Sequence, residues 1–166
     1  MAPFPILSHE YTVEVSDDYP QIDAIIRTPK IYRAICDDYS PAPEDYRCPR
    51  HPAITYLFVR DGNGMLMGMW MAIPLSMTRT EVHFFPLPHC WGSRAREATR
   101  TFFDWLWKIR PETNRLVANI PGSNRLALVF ARSVGMSQYG LDPAAFRKGG
   151  VLYDLVCMGL TRPKEK

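Results

Sequence analysis

The sequence lacks several features that would place a protein in a common class at once. It has no apolar run long enough to span a bilayer, and its first ten residues lack the charged and apolar regions of a secretory signal. Its net charge is only +3, which is too small an excess to indicate a nucleic-acid partner. No internal repeat or low-complexity segment is present. We therefore expect a protein of the cytoplasm that binds neither membranes nor nucleic acids.

Cysteine is also scarce. The four cysteines, at positions 36, 48, 90 and 157, are irregularly spaced, and reduced thiols are the simplest interpretation. A zinc site could be drawn from Cys48, His51, His89 and Cys90. Because Cys-x2-His is an unusual ligand pair, we predict no metal.

The chain does contain enough apolar material for one core. With 166 residues, 46% of them hydrophobic and 22% charged, it predicts a single globular domain over residues 1–166. Fifteen prolines predict short elements with rigid connections.

The spacing of apolar residues predicts a mixed α/β fold. Strands are expected over residues 6–15, 53–60, 65–74, 80–87, 114–120, 136–139 and 151–160. Helices are expected over 19–36, with a break at Pro29, over 93–109, and from Asn124 to Val134. Residues 61–64, Asp-Gly-Asn-Gly, predict a hairpin turn, and residues 37–52 and 147–150 predict loops. A helix between two strands predicts one parallel pair in a mostly antiparallel sheet.

The start of the third predicted helix is suited to a phosphate. Residues 80–107 read as a strand, a loop bounded by prolines, and a helix. A helix start offers unpaired N–H groups and the positive end of the peptide dipoles. Arg94 and Arg96 add formal charge there, although a solvated helix face explains them equally well. The loop has one glycine and no full phosphate-loop pattern, so it needs a second signal.

Residues 124–136 supply that signal. Their sequence, NRLALVFARSVGM, resembles the pattern N-x-x-A-[apolar]-x-[FL]-Y-x-x-x-G-F of the GNAT family, the Gcn5-related N-acetyltransferases. Residues 90–95, CWGSRA, lie where that family has its pyrophosphate loop, and Gly149-Gly150 with Asp154 is similar to its ending. The resemblance implies an α+β fold, with a mostly antiparallel sheet of six or seven strands flanked by about four helices. The chain also resembles small GNAT-like proteins of tailed bacteriophages, some of which belong to the virion or its assembly.

The resemblance implies acetyl-CoA as the cofactor. The strand near Leu87 and the helix bearing Phe130 would flank the pantetheine arm, and the acetyl group would lie near Phe85 and Ala118. Asn124 would reach the pantetheine, cap its own helix, or do both. The residues implied to contact the cofactor are Phe85, Leu87, Trp91, Gly92, Ser93, Arg94, Ala95, Arg96, Asn124 and Phe130.

Glu81, His83 and Tyr139 are the candidate catalytic residues. Glu81 and His83 are two apart on a strand and so share a face, and a neutral histidine suits proton removal near pH 7. The more usual interpretation of both is an ordinary sheet residue, half-buried for His83 and solvent-facing for Glu81. The tyrosine by which the family often protonates the departing thiolate is replaced by Ala131. Tyr139, Tyr153 or a water molecule would then stand in, or the activity has been lost. Cys90 as an activated thiol is a weaker option, because direct transfer needs no covalent intermediate.

Two functions follow. The first is an acetyl-CoA-dependent N-acyltransferase that moves the acetyl group directly to an amine of a small molecule or a protein. The second is a GNAT-like binding or structural protein with weak or no catalysis, associated with a phage virion or with host takeover. Its location would then be the host cytoplasm or the virion, and a homodimer or a virion or host protein is open as partner. Exposed acidic residues at 37, 38, 44 and 45 would suit a cationic amine.

Overall fold

One mixed sheet organises the residues that the computed structural model describes, 6–7 and 11–164. Its strands are β1 (Ile6–Leu7), β2 (Tyr11–Val15), β3 (Thr55–Asp61), β4 (Leu66–Pro74), β5 (Arg79–Pro86), β6 (Arg115–Pro121), β7 (Ser137–Lys148) and β8 (Val151–Thr161). Their spatial order is β1-β2-β3-β4-β5-β6-β8-β7, and β5–β6 is the parallel pair. The predicted mixed, mostly antiparallel sheet is confirmed. The expected first strand divides into β1 and β2, and residues 8–10 of that prediction lie outside the described part.

Four α-helices flank the sheet in the described chain: α1 (Tyr19–Ile26), α2 (Pro29–Ile35), α3 (Ser93–Ile109) and α4 (Arg125–Ser133). Asp18 caps α1 by accepting a hydrogen bond from the N–H of Gln21 at 3.1 Å. Pro29 begins α2, because a proline at the first helical position gives up an N–H that would be unpaired there anyway. None of the described helices is both long and apolar enough to cross a membrane.

The helices divide between the two faces of the sheet. The apolar face of α3 packs on one side, and Phe102, Trp105 and Leu106 are almost fully buried there, as their helical spacing predicts. Helix α4 joins this core, which we call the α3/α4 face. Helices α1 and α2 cover the opposite side, the α1/α2 face, where their isoleucines pack against strand residues that include Phe58 and Phe85.

The terminal hairpin is longer than predicted. Strand β7 continues to Lys148 instead of ending at residue 139, and Gly149 and Gly150 alone form the turn, with φ of +59° and +76°. Positive φ at both central residues matches the twist of a tight hairpin, and glycine adopts it without a side-chain clash. The prediction of a loop failed because Pro143 and a register shift between Asp142 and Phe146 interrupt the alternation that marks a strand.

Candidate active site

The parallel strands β5 and β6 diverge and leave a gap in the sheet. They pair only at Arg79 with Arg115, Thr80 with Leu116, and Glu81 with Val117. Beyond Glu81, β5 stays paired with β4 up to Pro86, and β6 stays paired with β8 up to Pro121. The sheet therefore splits into two halves around a V-shaped opening, which we call the β5–β6 gap.

Backbone polar groups of Phe84 face this gap. The C=O of Thr78, just before β5, accepts from the N–H of Asn114 and Arg115 on the β6 side, whereas the C=O of Arg79 accepts from residues on the β4 side. Because successive residues of a strand direct their N–H and C=O to opposite sides, the even-numbered residues of β5 face β6. Phe84 lies beyond the last paired residue, so its N–H and C=O are open to a ligand strand. Sequence reasoning missed Phe84, because the point where two strands separate has no local signal.

Phe85 and Leu87 have a different orientation. Phe85 is opposite Met69 in the β4 ladder, and its ring is buried on the α1/α2 face. The N–H of Leu87 donates to the C=O of Met67 at 2.8 Å, and its C=O accepts from the N–H of Cys90 at 3.0 Å. Their backbone groups are thus used within the chain, and they would reach a ligand only through side-chain atoms.

The first turn of α3 lies at the open end of β5. Gly92 is the residue before the helix, and no described side chain caps the N–H groups of the first turn, at Ser93, Arg94 and Ala95. Ala95 is buried in the core, whereas Ser93 is exposed. Arg96 is half-buried and makes no ion pair with any described residue. This turn combines free donors with one uncompensated cation.

Arg94 is already engaged. Its Nη2 lies 2.7 Å from Oδ2 of Asp61, the last residue of β3, and 3.5 Å from the sulfur of Met67. This ion pair fixes the start of α3 to the β3–β4 hairpin and offsets the charge of Arg94, one of the two arginines that the sequence offered to a phosphate.

Trp91 and Asn124 mark the two sides of the open end, and α2 lies across it. The indole N–H of Trp91 donates to the C=O of Pro86 at 2.9 Å, and Nζ of Lys30 lies 5.7 Å from the indole ring centre. One helical turn along α2, the C=O of Ala34 accepts from Nδ2 of Asn124 at 3.3 Å. Because residues four apart share a face of a helix, the same face of α2 contacts both sides of the gap.

Asn124 and Phe130 carry structural roles on α4. Oδ1 of Asn124 accepts from the N–H of Ala127 at 3.1 Å, so the predicted helix cap is formed. The ring of Phe130 packs edge-on against Phe84 at 5.8 Å between centres, and Phe84 also contacts Phe103. These rings line the gap on the α3/α4 face.

Glu81 and His83 lie together at the closed end of the gap. Nε2 of His83 is 3.0 Å from Oε1 of Glu81, and both side chains are partly exposed on the α1/α2 face. The hydrogen bond from His83 holds the pKa of the Glu81 carboxyl below its ordinary value, although burial opposes this. The carboxylate therefore stays ionised and orients the imidazole.

The other candidate groups lie away from this pair. The Arg115 guanidinium stacks on the Tyr139 ring at 4.9 Å, and Tyr139 is on β7, two strand spacings or about 10 Å from β6. Ala131, where the family pattern has tyrosine, is fully buried in the α3/α4 core. Tyr153 is on β8 opposite Phe146, toward the hairpin turn. The structure brings together Glu81 and His83 but not a tyrosine.

The cysteines show no activated thiol or zinc cluster. Burial raises the pKa of the Cys90 thiol, which donates to the C=O of Met67 and of Leu87. Cys48 lies on the α1/α2 face and Cys90 in the opposite core, so the sketched zinc site cannot form. In the described chain, no three metal-binding side chains are grouped.

Comparison with known proteins adds evidence on the fold. No protein-family model matches the sequence, and no curated protein matches it significantly. The spermidine N-acetyltransferase of Vibrio cholerae, solved with CoA and spermine, matches with a TM-score of 0.74 and 15% identity, over 93% of this chain and 96% of that one. The ribosomal-protein-S5-alanine acetyltransferase of Vibrio fischeri matches with a TM-score of 0.70 and 15% identity, over 96% and 97%. A GNAT-family acetyltransferase of Bacillus anthracis matches with a TM-score of 0.71 and 12% identity, over 95% and 98%. The strand order, the single parallel pair and these likenesses establish that the chain has the fold of the GNAT-family acetyltransferases.

Proposed function

We propose that this chain is an acetyl-CoA-dependent N-acetyltransferase that transfers the acetyl group directly to an amine. The β5–β6 gap is the main support for the proposal. Unpaired backbone groups of β5 face this gap, and its closed end holds the Glu81–His83 pair. Support also comes from the spermidine N-acetyltransferase, which has this fold and was solved with CoA and spermine.

The residues around the gap fit the cofactor. The N–H and C=O of Phe84 can pair with an amide-containing arm, as a strand edge pairs with an added strand. The uncapped N–H groups at the start of α3, together with Arg96, suit a diphosphate. Bound acetyl-CoA would supply the acetyl thioester at the level of Glu81 and His83.

The Glu81–His83 pair supplies the proton chemistry. An amine reaches the site mainly as an ammonium ion and must lose a proton before it can attack. A neutral imidazole that donates from Nε2 to Glu81 keeps Nδ1 as its acceptor, so His83 takes the proton at Nδ1. Glu81 fixes this tautomer and stabilises the imidazolium that forms.

Calorimetric titration with acetyl-CoA tests the proposal. We expect binding, and Arg96→Ala should weaken it about tenfold or more, since a charge-assisted contact to phosphate contributes roughly 1.5–3 kcal/mol. Lys108→Ala is the matched control, because Lys108 is a cation in the last turn of the same helix. Absence of both heat and a thermal shift at millimolar acetyl-CoA would remove the enzyme proposal.

A second function is favoured by one observation. Ala131 is buried and Tyr139 lies on another strand, so no tyrosine among the described candidates stands beside the Glu81–His83 pair. A chain that binds acetyl-CoA but acetylates no amine would instead be a binding or structural protein. The resemblance of the sequence to small bacteriophage proteins supports a virion or host-protein partner in that case.

A further inference from the structure

Three segments that are distant in sequence meet at the open end of the β5–β6 gap, on the β6 side. They enclose a pocket of about 220 Å³ lined by Arg33, Ala34, Ser123, Asn124 and Lys148. Arg33 and Ala34 belong to α2, Ser123 and Asn124 to the turn after β6, and Lys148 to the end of β7. We call this the α2–α4 pocket.

Hydrogen bonds between the segments hold the pocket together. Nζ of Lys148 donates to the C=O of Arg33 and, at 3.0 Å, to the C=O of Cys36. The Asp38 carboxylate accepts from the N–H of Gly149 at 2.6 Å and of Gly150 at 2.8 Å. The hairpin turn is thus fixed to the chain that follows α2. The bond from Asn124 to Ala34 fixes the remaining wall.

The pocket is positively charged and rich in donors. Two of its five lining residues are cations and none is acidic. Arg33 is exposed and has no ion pair within the described part of the chain. The Ser123 hydroxyl and the second N–H of the Asn124 amide add neutral donors.

The nearby carboxylates already accept hydrogen bonds from the chain itself. Oδ1 of Asp37 accepts from the Ser40 hydroxyl at 2.8 Å and from the N–H of Tyr39 at 3.0 Å. Both oxygens of Asp38 are bound by the glycine amides, and Arg147 lies 3.5 Å away. The acidic residues that the sequence offered to a cationic amine at positions 37 and 38 instead shape their own loop and fix the hairpin.

We propose that the α2–α4 pocket binds the carboxylate or phosphate group of the amine acceptor, which makes the acceptor an amine with an anionic end. The assignment rests on the acetyltransferase function proposed above. Glu81 pairs with Val117, so counting two residues along each strand places His83 level with Asn119. The pocket residue Ser123 follows the end of β6 at Pro121. At least two residues of strand, or about 7 Å, therefore separate the proposed base from the pocket. Several bonds must therefore separate the amine from the anion.

The test compares ω-amino carboxylates of increasing length with alkylamines of matched length, with acetyl-CoA as donor. We expect KM to be at least tenfold lower for the longer carboxylates than for their alkylamine partners. Arg33→Gln should abolish most of this preference, and Arg33→Lys should retain part of it because the charge is kept. Arg132→Gln is the control, since Arg132 is an exposed helix arginine that does not line the pocket.

Two binding measurements distinguish an anionic group of the acceptor from the ribose phosphate of the cofactor. Inorganic phosphate, titrated by NMR, should shift the Ser123 and Asn124 amide signals of the wild type saturably, and Arg33→Gln should remove this response. Acetyl-CoA affinity should be unchanged in Arg33→Gln. If Arg33→Gln weakened CoA but not dephospho-CoA, which lacks the ribose phosphate, the pocket would belong to the cofactor and the assignment would be overturned.

The remaining outcomes are also decisive. Equal use of carboxylates and alkylamines by an active enzyme would overturn the pocket assignment and leave the acetyltransferase function intact. Failure to bind acetyl-CoA would overturn the function. If a protein that does not bind acetyl-CoA still bound phosphate through Arg33, the pocket would be an anion site without an acceptor. The pocket assignment would then be overturned as well.

Discussion

Replacing Asp38 with alanine tests how the terminal hairpin is held to α2. The carboxylate accepts two backbone hydrogen bonds, at 2.6 and 2.8 Å, and forms an ion pair with Arg147 at 3.5 Å. Hydrogen bonds to a charged group contribute roughly 1.5–3 kcal/mol each. The Asp38 side chain is 30% exposed and that of Arg147 is 47% exposed. Solvent therefore screens these contacts, and we expect a total loss of about 2 kcal/mol in the docking of the hairpin.

The loss should be local, because other bonds remain. The N–H of Asp38 still donates to the C=O of Arg147 at 3.0 Å, and Lys148 still binds the end of α2. About 2 kcal/mol corresponds to roughly thirtyfold faster hydrogen exchange at the amides of Gly149 and Gly150.

Amide hydrogen exchange, resolved by residue, measures this effect. Asp38→Asn should give an intermediate result, since it keeps one acceptor oxygen. Asp45→Ala is the control, because Asp45 is an exposed acidic residue of the same loop without a bond to the hairpin. Unchanged exchange at both glycines in Asp38→Ala would show that the carboxylate does not hold the turn.

Three further changes test the fold and the site. Gly68→Ala should lower the free energy of unfolding, measured in urea, by about 3 kcal/mol or more, because the added Cβ would lie 2.5 Å from a backbone oxygen of β5. Gly64→Ala is the control, since its added Cβ meets no atom within 4 Å and should cost only about 1 kcal/mol. Glu81→Gln should lower stability at neutral pH. Because His83 holds the folded-state pKa of Glu81 below 4.5, this contribution is present above that pH and is lost as pH falls through the folded pKa, so wild type and variant should converge in acid unfolding curves. Asn124→Ala should lower the free energy of unfolding by about 1 kcal/mol through loss of the helix cap, whereas Asn124→Asp keeps the cap. If Asn124→Asp also keeps the affinity for acetyl-CoA, the side-chain amide N–H of Asn124 is not a cofactor ligand.

The sequence by itself determined the local elements. Apolar spacing predicted α3 with its buried face, Pro29 marked the boundary between α1 and α2, and Asn124 was correctly identified as a helix start. These features depend on residues within a few positions of one another, so a linear pattern contains them. The family resemblance then predicted which helix start and which strand end belong to the site.

Only the tertiary structure decided how these elements form a site. The divergence of β5 and β6 depends on what each strand pairs with on its outer side, and this separation exposes Phe84 and places Glu81 and His83 at its closed end. The tertiary structure also decided which charged side chains are used within the chain. Arg94 pairs with Asp61 across 33 positions, and the amides that Asp38 binds lie more than 100 positions along the chain. The free energy of a side chain depends on the partners that folding brings to it. The sequence gives the charge and type of a residue, but it does not reveal whether that residue faces a ligand or another part of the chain.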